Sequence, residues 1–192
     1  MANENNTPER VLELARGELG ATSGDKYIRY YNGITGIGLP YGVAWCAAWV
    51  TWVMRHAGVP VDSVLNYKGC ATASDWFEAR GRFRSRKSGY VPKPGDIIMY
   101  EWNPEDEGTP YDDGDDHTGI VEYVEDGIVH TIEGNNGGQC RRDWWSLSNS
   151  YISGYCVPLY NMENKKEEPD LTEAEARKIA RGEICLLYTS PS

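Results

Sequence analysis

The sequence predicts an α+β domain in which helices come first and an antiparallel sheet follows. Apolar residues recur at helical spacing in the first part of the chain, at Val11, Leu12, Ala15 and Leu19, and again at Cys46, Trp49, Val50, Val53 and Ala57. From Lys93 onward the texture changes to short strand-type runs separated by turns. The two kinds of segment are segregated rather than alternating, which favours α+β over a parallel doubly wound sheet.

Taken in order, "TPERVLELARGELG" opens as a helix, with Thr7 placed to cap it and Pro8 to begin it. The Tyr-rich "DKYIRYYNGITGIGLPYG" reads as turn-rich, since it carries four glycines and a proline. The segment from Cys46 to Ala57 reads as a helix stopped by Gly58 and Pro60, which puts Cys46 in its first turn. "ATASDWFEARGRF" is a further short helix, followed by a basic loop. Strands are expected at "PKPGDIIMYEW", on both sides of "EDG" in "HTGIVEYVEDGIVHTIEGN", and at "YISGYCVPLY". After Tyr160, "NMENKKEEPD" reads as a solvated linker, and "LTEAEARKIARGEI" starts another helix with Asp170 as cap and Glu173 in a capping box.

The expected organisation is one domain over 1–160, a linker over 161–170, the start of a truncated C-terminal segment over 171–184, and a foreign tail over 185–192. That tail, "CLLYTSPS", back-translates in one frame to TGT CTC TTA TAC ACA TCT CCG AGC, which resembles a sequencing-library adapter.

Length and composition narrow the class. The 192 residues suit one ordinary domain with an appendage, and an apolar fraction of 40% is enough to build a core. A net charge of −10 argues against nucleic acid, because nonspecific phosphate binding needs an excess of Lys and Arg. No apolar run is long enough to insert in a membrane, and "MANENNTPERVLELARGELG" lacks the basic and apolar regions of a signal peptide. Synthesis in the cytoplasm is therefore expected. Five cysteines, at 46, 70, 140, 156 and 185, form no CxxC pair and give neither a zinc framework nor a disulfide scaffold. Cys70, Cys140 and Cys156 read as small packing residues or incidental thiols.

The segment around "EDG" reads as a β-hairpin. A three-residue "EDG" loop with Gly127 left-handed pairs Val124 with Ile128 and Ile120 with Ile132, an apolar face consistent with itself. The same register pairs His117 with Asn135 and Gly119 with Glu133 on the other face. A cysteine at a helix start and an imidazole held by a carboxylate and an amide are the parts of a thiol hydrolase. The thiolate is the attacking form, so a free pKa of about 8.5 must be lowered. A helix N-terminus contributes only about 0.3–1 kcal/mol, less than one pKa unit at roughly 1.4 kcal/mol per unit. A protonated imidazole must supply the remainder. The segment before Cys46, "YGVAW", has no side chain suited to capping, so the first helical amides are free for an oxyanion, and Tyr41 is a further candidate donor.

"WCAAWVTWV", "PKPGDIIMY", "DHTGIVEYV" and "IEGNN", in that order over about residues 8 to 160, resemble the cysteine- and histidine-dependent amidohydrolase/peptidase (CHAP) family, within the papain-like wall peptidases. The resemblance implies a papain-like fold with Cys46 as nucleophile, His117 as general base, and Glu133 and Asn135 as its orienting residues. It implies bacterial peptidoglycan as substrate, cut at the muramoyl–alanine link or within the stem peptide or cross-bridge, as in phage endolysins. No metal or other cofactor is expected: some relatives carry an acidic calcium loop before the cysteine, but "GITGIGLPYGVAW" has no carboxylate. "YDDGDDH" lacks EF-hand spacing and reads as a solvated loop. A monomer acting on the wall after release is expected. The competing readings are an intracellular papain-like protease or deamidase, and a non-catalytic wall-binding module. Trp102, Trp144 and Trp145 read equally as sugar-stacking or packing residues.

Overall fold

A computed structural model of the chain describes residues 6–105 and 114–161. The expected linker beyond Asn161, the helix over 171–184 and the tail over 185–192 lie outside the described residues. Among the described residues four α-helices come first: α1 (Pro8–Gly17), α2 (Asp25–Thr35), α3 (Cys46–His56) and α4 (Cys70–Glu78). Strands β1 (Phe83–Ser85), β2 (Ile97–Tyr100), β3 (His117–Glu125), β4 (Ile128–Asn136), β5 (Gln139–Ser146) and β6 (Ile152–Cys156) follow. They form one antiparallel sheet in the order β1-β6-β2-β3-β4-β5. The α+β class read from the sequence is the class observed.

The helix ends follow local chemistry. Thr7 Oγ1 accepts the Arg10 amide at 3.2 Å, and Pro8 occupies the first turn, where a missing N–H is harmless. The expectation of a turn-rich stretch after Asp25 is corrected: α2 runs to Thr35 and buries Tyr27, Ile28 and Tyr31. Its glycines sit late, and Gly36 (φ 72°) ends it, so the apolar stripe decides the conformation. Two strands were hidden in the sequence. β1 lies in the basic loop, where Arg82 and Arg86 bond backbone carbonyls of Ser63 and Ile152. β5 is an edge strand whose exposed residues obscure its alternation.

Helix α3 is buried almost all round because it lies between α1, α2 and the sheet. It approaches β4 at Gly134, where a Cβ would stand 2.5 Å from Trp49 Cγ. At its N-terminus Trp45 stacks on Tyr27 with ring centroids 5.2 Å apart. One apolar core therefore fills the space between the helices and Ile97, Met99, Ile120 and Ile132. A second lies on the other sheet face, where Ile98, Tyr100, Val121, Val129, Ile152 and Tyr155 meet Tyr90 and Trp145.

The hairpin corrects the expected loop. Asp126 (φ 49°) and Gly127 (φ 75°) form a two-residue turn, Glu125 pairs with Ile128, and Val124 faces Val129 instead of Ile128. A bulge at Glu122, between Val121 and Tyr123, absorbs the one-residue difference. At Val121–Thr131 and Ile120–Ile132 the pairing is the expected one. Val124 consequently packs with Val121 and Val129, not on the face of Ile120 and Ile132. The bulged Glu122 accepts from Arg16 of α1 at 2.7 Å and from Arg142 of β5 at 2.7 Å and 3.0 Å. Among the described residues, no helix is long and apolar enough to cross a membrane.

Candidate active site

The N-terminus of α3 meets the sheet where β3 begins and β4 nears its end. Cys46 is the first residue of that helix and is buried, and no side chain caps the turn. His117 opens β3, and its Nε2 lies 2.9 Å from Oε2 of Glu133 on the neighbouring strand. With Nε2 engaged by Glu133, Nδ1 is the ring nitrogen left to act on Cys46, which lines the same cleft. Gly119 makes room for the carboxylate, since a Cβ there would come within 2.6 Å of Glu133 Cγ.

Glu133 is held by more groups than sequence reasoning found. Tyr100 Oη donates to its Oε1 at 2.5 Å and Thr131 Oγ1 to the same oxygen at 2.7 Å. Asn136 Nδ2 donates to Oε2 at 2.8 Å. Thr131 was detectable, because it sits two residues from Glu133 on one face of a strand. Tyr100 was not, because nothing local relates β2 to β4. Tyr100 and Trp102 stack beside the His117 ring at 5.6 Å and 5.9 Å between centroids.

The site sorts its charges. A hydrogen bond from the Cys70 thiol lowers the Cys46 pKa well below the usual thiol range; burial opposes this, and His117 and the Ala47 amide reinforce it. Burial alone would lower the His117 pKa, but the hydrogen bonds to Cys46 and Glu133 prevail and raise it to about 9. Burial would likewise raise Glu133, yet the bonds from His117, Thr131 and Tyr100 hold it below the ordinary carboxylate value. The pair is a thiolate beside an imidazolium whose charge the carboxylate stabilises. Cys70, Cys140 and Cys156 shift the other way and stay protonated.

The structure brings Cys46, His117 and Glu133 together. Asn135 lines the same cleft, in a left-handed conformation (φ 61°), but its side chain makes no hydrogen bond among the described residues. The expected amide contact on the His117–Glu133 pair is supplied by Asn136 instead, because the β4–β5 pairing bulges after Glu133 and turns Asn135 aside. Tyr41 is 57% exposed and does not line the cleft, so the structure does not bring it to Cys46. The cleft measures about 500 Å³, and Trp102, Trp145, Asp116, Arg141 and Asp143 contribute to its walls. A second hollow shares Ala44 and Asn135 with it and runs along Ser23, Gly24 and Trp45. Trp144 is 65% exposed and stands outside both. Among the described residues, no group of three His, Cys, Asp or Glu side chains is arranged to hold a metal ion.

A thiol beside an imidazole fixed by a carboxylate at a helix N-terminus is the arrangement of a cysteine-type amidohydrolase, suited to acyl transfer through a thioester. The chain belongs to the CHAP domain family, whose model matches residues 38–135. No curated protein matches it. Among solved structures it is similar to Ly7917 with the hydrolyzing product of MDP, at 19% identity and a TM-score of 0.46, over 79% of this chain and 63% of that one. A second Ly7917 structure gives 20% identity and a TM-score of 0.44, over 79% and 62% of the two chains. NlpC1 from Trichomonas vaginalis gives 16% identity and a TM-score of 0.44, over 83% and 46%. The chain thus spans less than two thirds of the length of each.

Proposed function

We propose that the protein hydrolyses amide bonds of bacterial peptidoglycan with Cys46 as nucleophile, His117 as acid and base, and Glu133 as the residue that orients the imidazole. The observation that carries this reading is the continuous Cys46–His117–Glu133 arrangement in an open cleft of a CHAP-family chain. Sγ of Cys46 attacks the carbonyl carbon, and the oxyanion collects at the uncapped first turn of α3. The imidazolium gives its proton to the departing amine as the thioester forms. Neutral His117 then takes a proton from water as it attacks the thioester, which releases the carboxylic acid and restores the Cys46 thiolate beside an imidazolium. These steps use the chain's own groups, and we assign no cofactor to them. Asn135, at the junction of the two hollows, is assigned to the substrate-facing wall. A monomer working on the wall, with no nucleic-acid partner, belongs to the same proposal.

Digesting purified peptidoglycan and identifying the new termini by mass spectrometry tests the reading. A new free L-alanine amine marks a muramoyl–alanine amidase, and one inside the stem or bridge marks an endopeptidase. Cys46→Ala should fold with an unchanged melting temperature and lose activity by at least about 10³-fold. Substantial residual cleavage by that variant would exclude the thiol mechanism.

A further inference from the structure

Opposite Glu133 stands a cation that the mechanism above does not use. Arg141 of β5 pairs with Glu133 of β4, and directly opposed residues of antiparallel strands project from the same sheet face. Arg141 accordingly lines the same cleft as Cys46 and His117. We propose that Arg141 is the carboxylate-binding residue of this cleft and selects stem peptides that carry a free carboxylate near the scissile amide. The proposal rests on the reading of the protein as a peptidoglycan hydrolase and adds the chemical class of stem peptide it takes.

The guanidinium is placed for a ligand. Among the described residues its ion-pair partner is Asp143, with Nη2 3.6 Å from Oδ2. That is beyond an N–H···O hydrogen bond of about 2.7–3.2 Å. Asp143 is engaged elsewhere: Oδ2 accepts from Asn136 Nδ2 at 2.8 Å and Oδ1 from the Trp144 amide at 2.9 Å. Asp143 thus steers the Arg141 side chain, which is 47% exposed, without saturating its donors. Gly137 also lines the cleft, and a side chain there would begin 3.6 Å from Arg141 Nη1. Its lack of one keeps that flank of the guanidinium open.

Charge decides the ligand class. His117 is committed to Glu133, and Asp116 Oδ2 accepts the Trp102 amide at 2.9 Å. Apart from His117, Arg141 is the cation among the described residues that line the cleft, on a wall that also carries Asp116, Glu133 and Asp143. An anion therefore finds a favourable partner at Arg141 and repulsion elsewhere, which fixes its position along the cleft. The planar fork of N–H donors matches a carboxylate bidentately. A stem peptide supplies such a group beside the bonds assigned above. Where its glutamyl residue is linked through the side chain, the α-carboxylate is left free, and amidation converts it to a neutral carboxamide.

The test compares initial rates on two soluble cross-linked peptidoglycan fragments that differ only at that group, carboxylate or carboxamide, read by mass spectrometry with the full chain. Wild type should favour the carboxylate form in kcat/KM by about tenfold, chiefly through KM. Arg141→Gln should lose about tenfold on the carboxylate form and less than about twofold on the carboxamide form, which abolishes the preference. Arg141→Lys, which keeps the charge but not the fork, should retain part of it and serves as the variant should Arg141→Gln fail to fold by circular dichroism. Alkylation of Cys46 by iodoacetamide should proceed at the wild-type rate in both variants. Equal wild-type rates on the two forms, an equal loss on both in Arg141→Gln, or altered Cys46 alkylation would overturn the proposal and leave the hydrolase reading standing. If wild type cleaves neither form, the hydrolase reading itself fails, and this proposal with it.

Discussion

At the scale of residues, the chemistry depends on where two protons sit. The imidazolium is lost as pH rises through about 9, and the thiolate is lost on the acid side at a pH well below the usual thiol value. kcat/KM should therefore describe a bell whose basic limb falls near pH 9. A basic limb near 6.5, the free imidazole value, would show that the Glu133 and Cys46 bonds do not hold the proton. Gly119 is equally exposed to test. Its φ is ordinary, so the penalty of a methyl comes from its approach to Glu133 Cγ at 2.6 Å and to the Ile132 carbonyl oxygen at 3.1 Å. Gly119→Ala should reduce kcat by about 10–100-fold through a displaced carboxylate. Turnover assays alongside thermal melts separate that effect from unfolding.

At the scale of elements, the β3–β4 hairpin shows how one register arises from two different local structures. The apolar pattern selects the pairing of Ile120 with Ile132 correctly, but it cannot distinguish a three-residue turn from a two-residue turn followed by a bulge. The bulge is visible only once Glu122 is seen between Arg16 and Arg142. Its carboxylate is buried, while the arginines are about half exposed, so the interaction is discounted for solvent screening. Burial would raise the Glu122 pKa, but the bonds from Arg142 and Arg16 lower it. The resulting stability is present above the ordinary carboxylate pKa and lost as pH falls through the depressed value. Glu122→Ala should lower stability by about 1–2 kcal/mol, or roughly 2–8 °C in Tm. The difference from wild type should shrink in acid, and denaturant melts at two pH values would show whether it does.

At the scale of the whole described domain, activity requires α3 to lie close on the sheet, since Cys46 belongs to one layer and His117 to the other. Gly134 sets that spacing against Trp49. A methyl at this position meets a fully buried indole that has no free space, so Gly134→Ala should destabilise by about 1–3 kcal/mol. Because it presses the layers apart, turnover should fall even well below the melting temperature. Full activity with a lowered Tm would show that the layer spacing does not govern the site.

The parts legible in the sequence are those encoded locally or by period: the α3 helix with Cys46 in its first turn, the Thr7 cap, and the strand alternation that sets Glu133 beside His117. α2 is not legible in the sequence, because its glycines and those just after it mask the Tyr27, Ile28 and Tyr31 stripe. β5 was lost because an edge strand exposes much of its surface. Tertiary structure alone decided the contacts between segments far apart in the chain. Tyr100 on Glu133 and Asn136 in place of Asn135 both depend on how separate elements pack. A side chain's hydrogen-bond partner across such distances is chosen by packing geometry, and neither propensity nor periodicity carries that information.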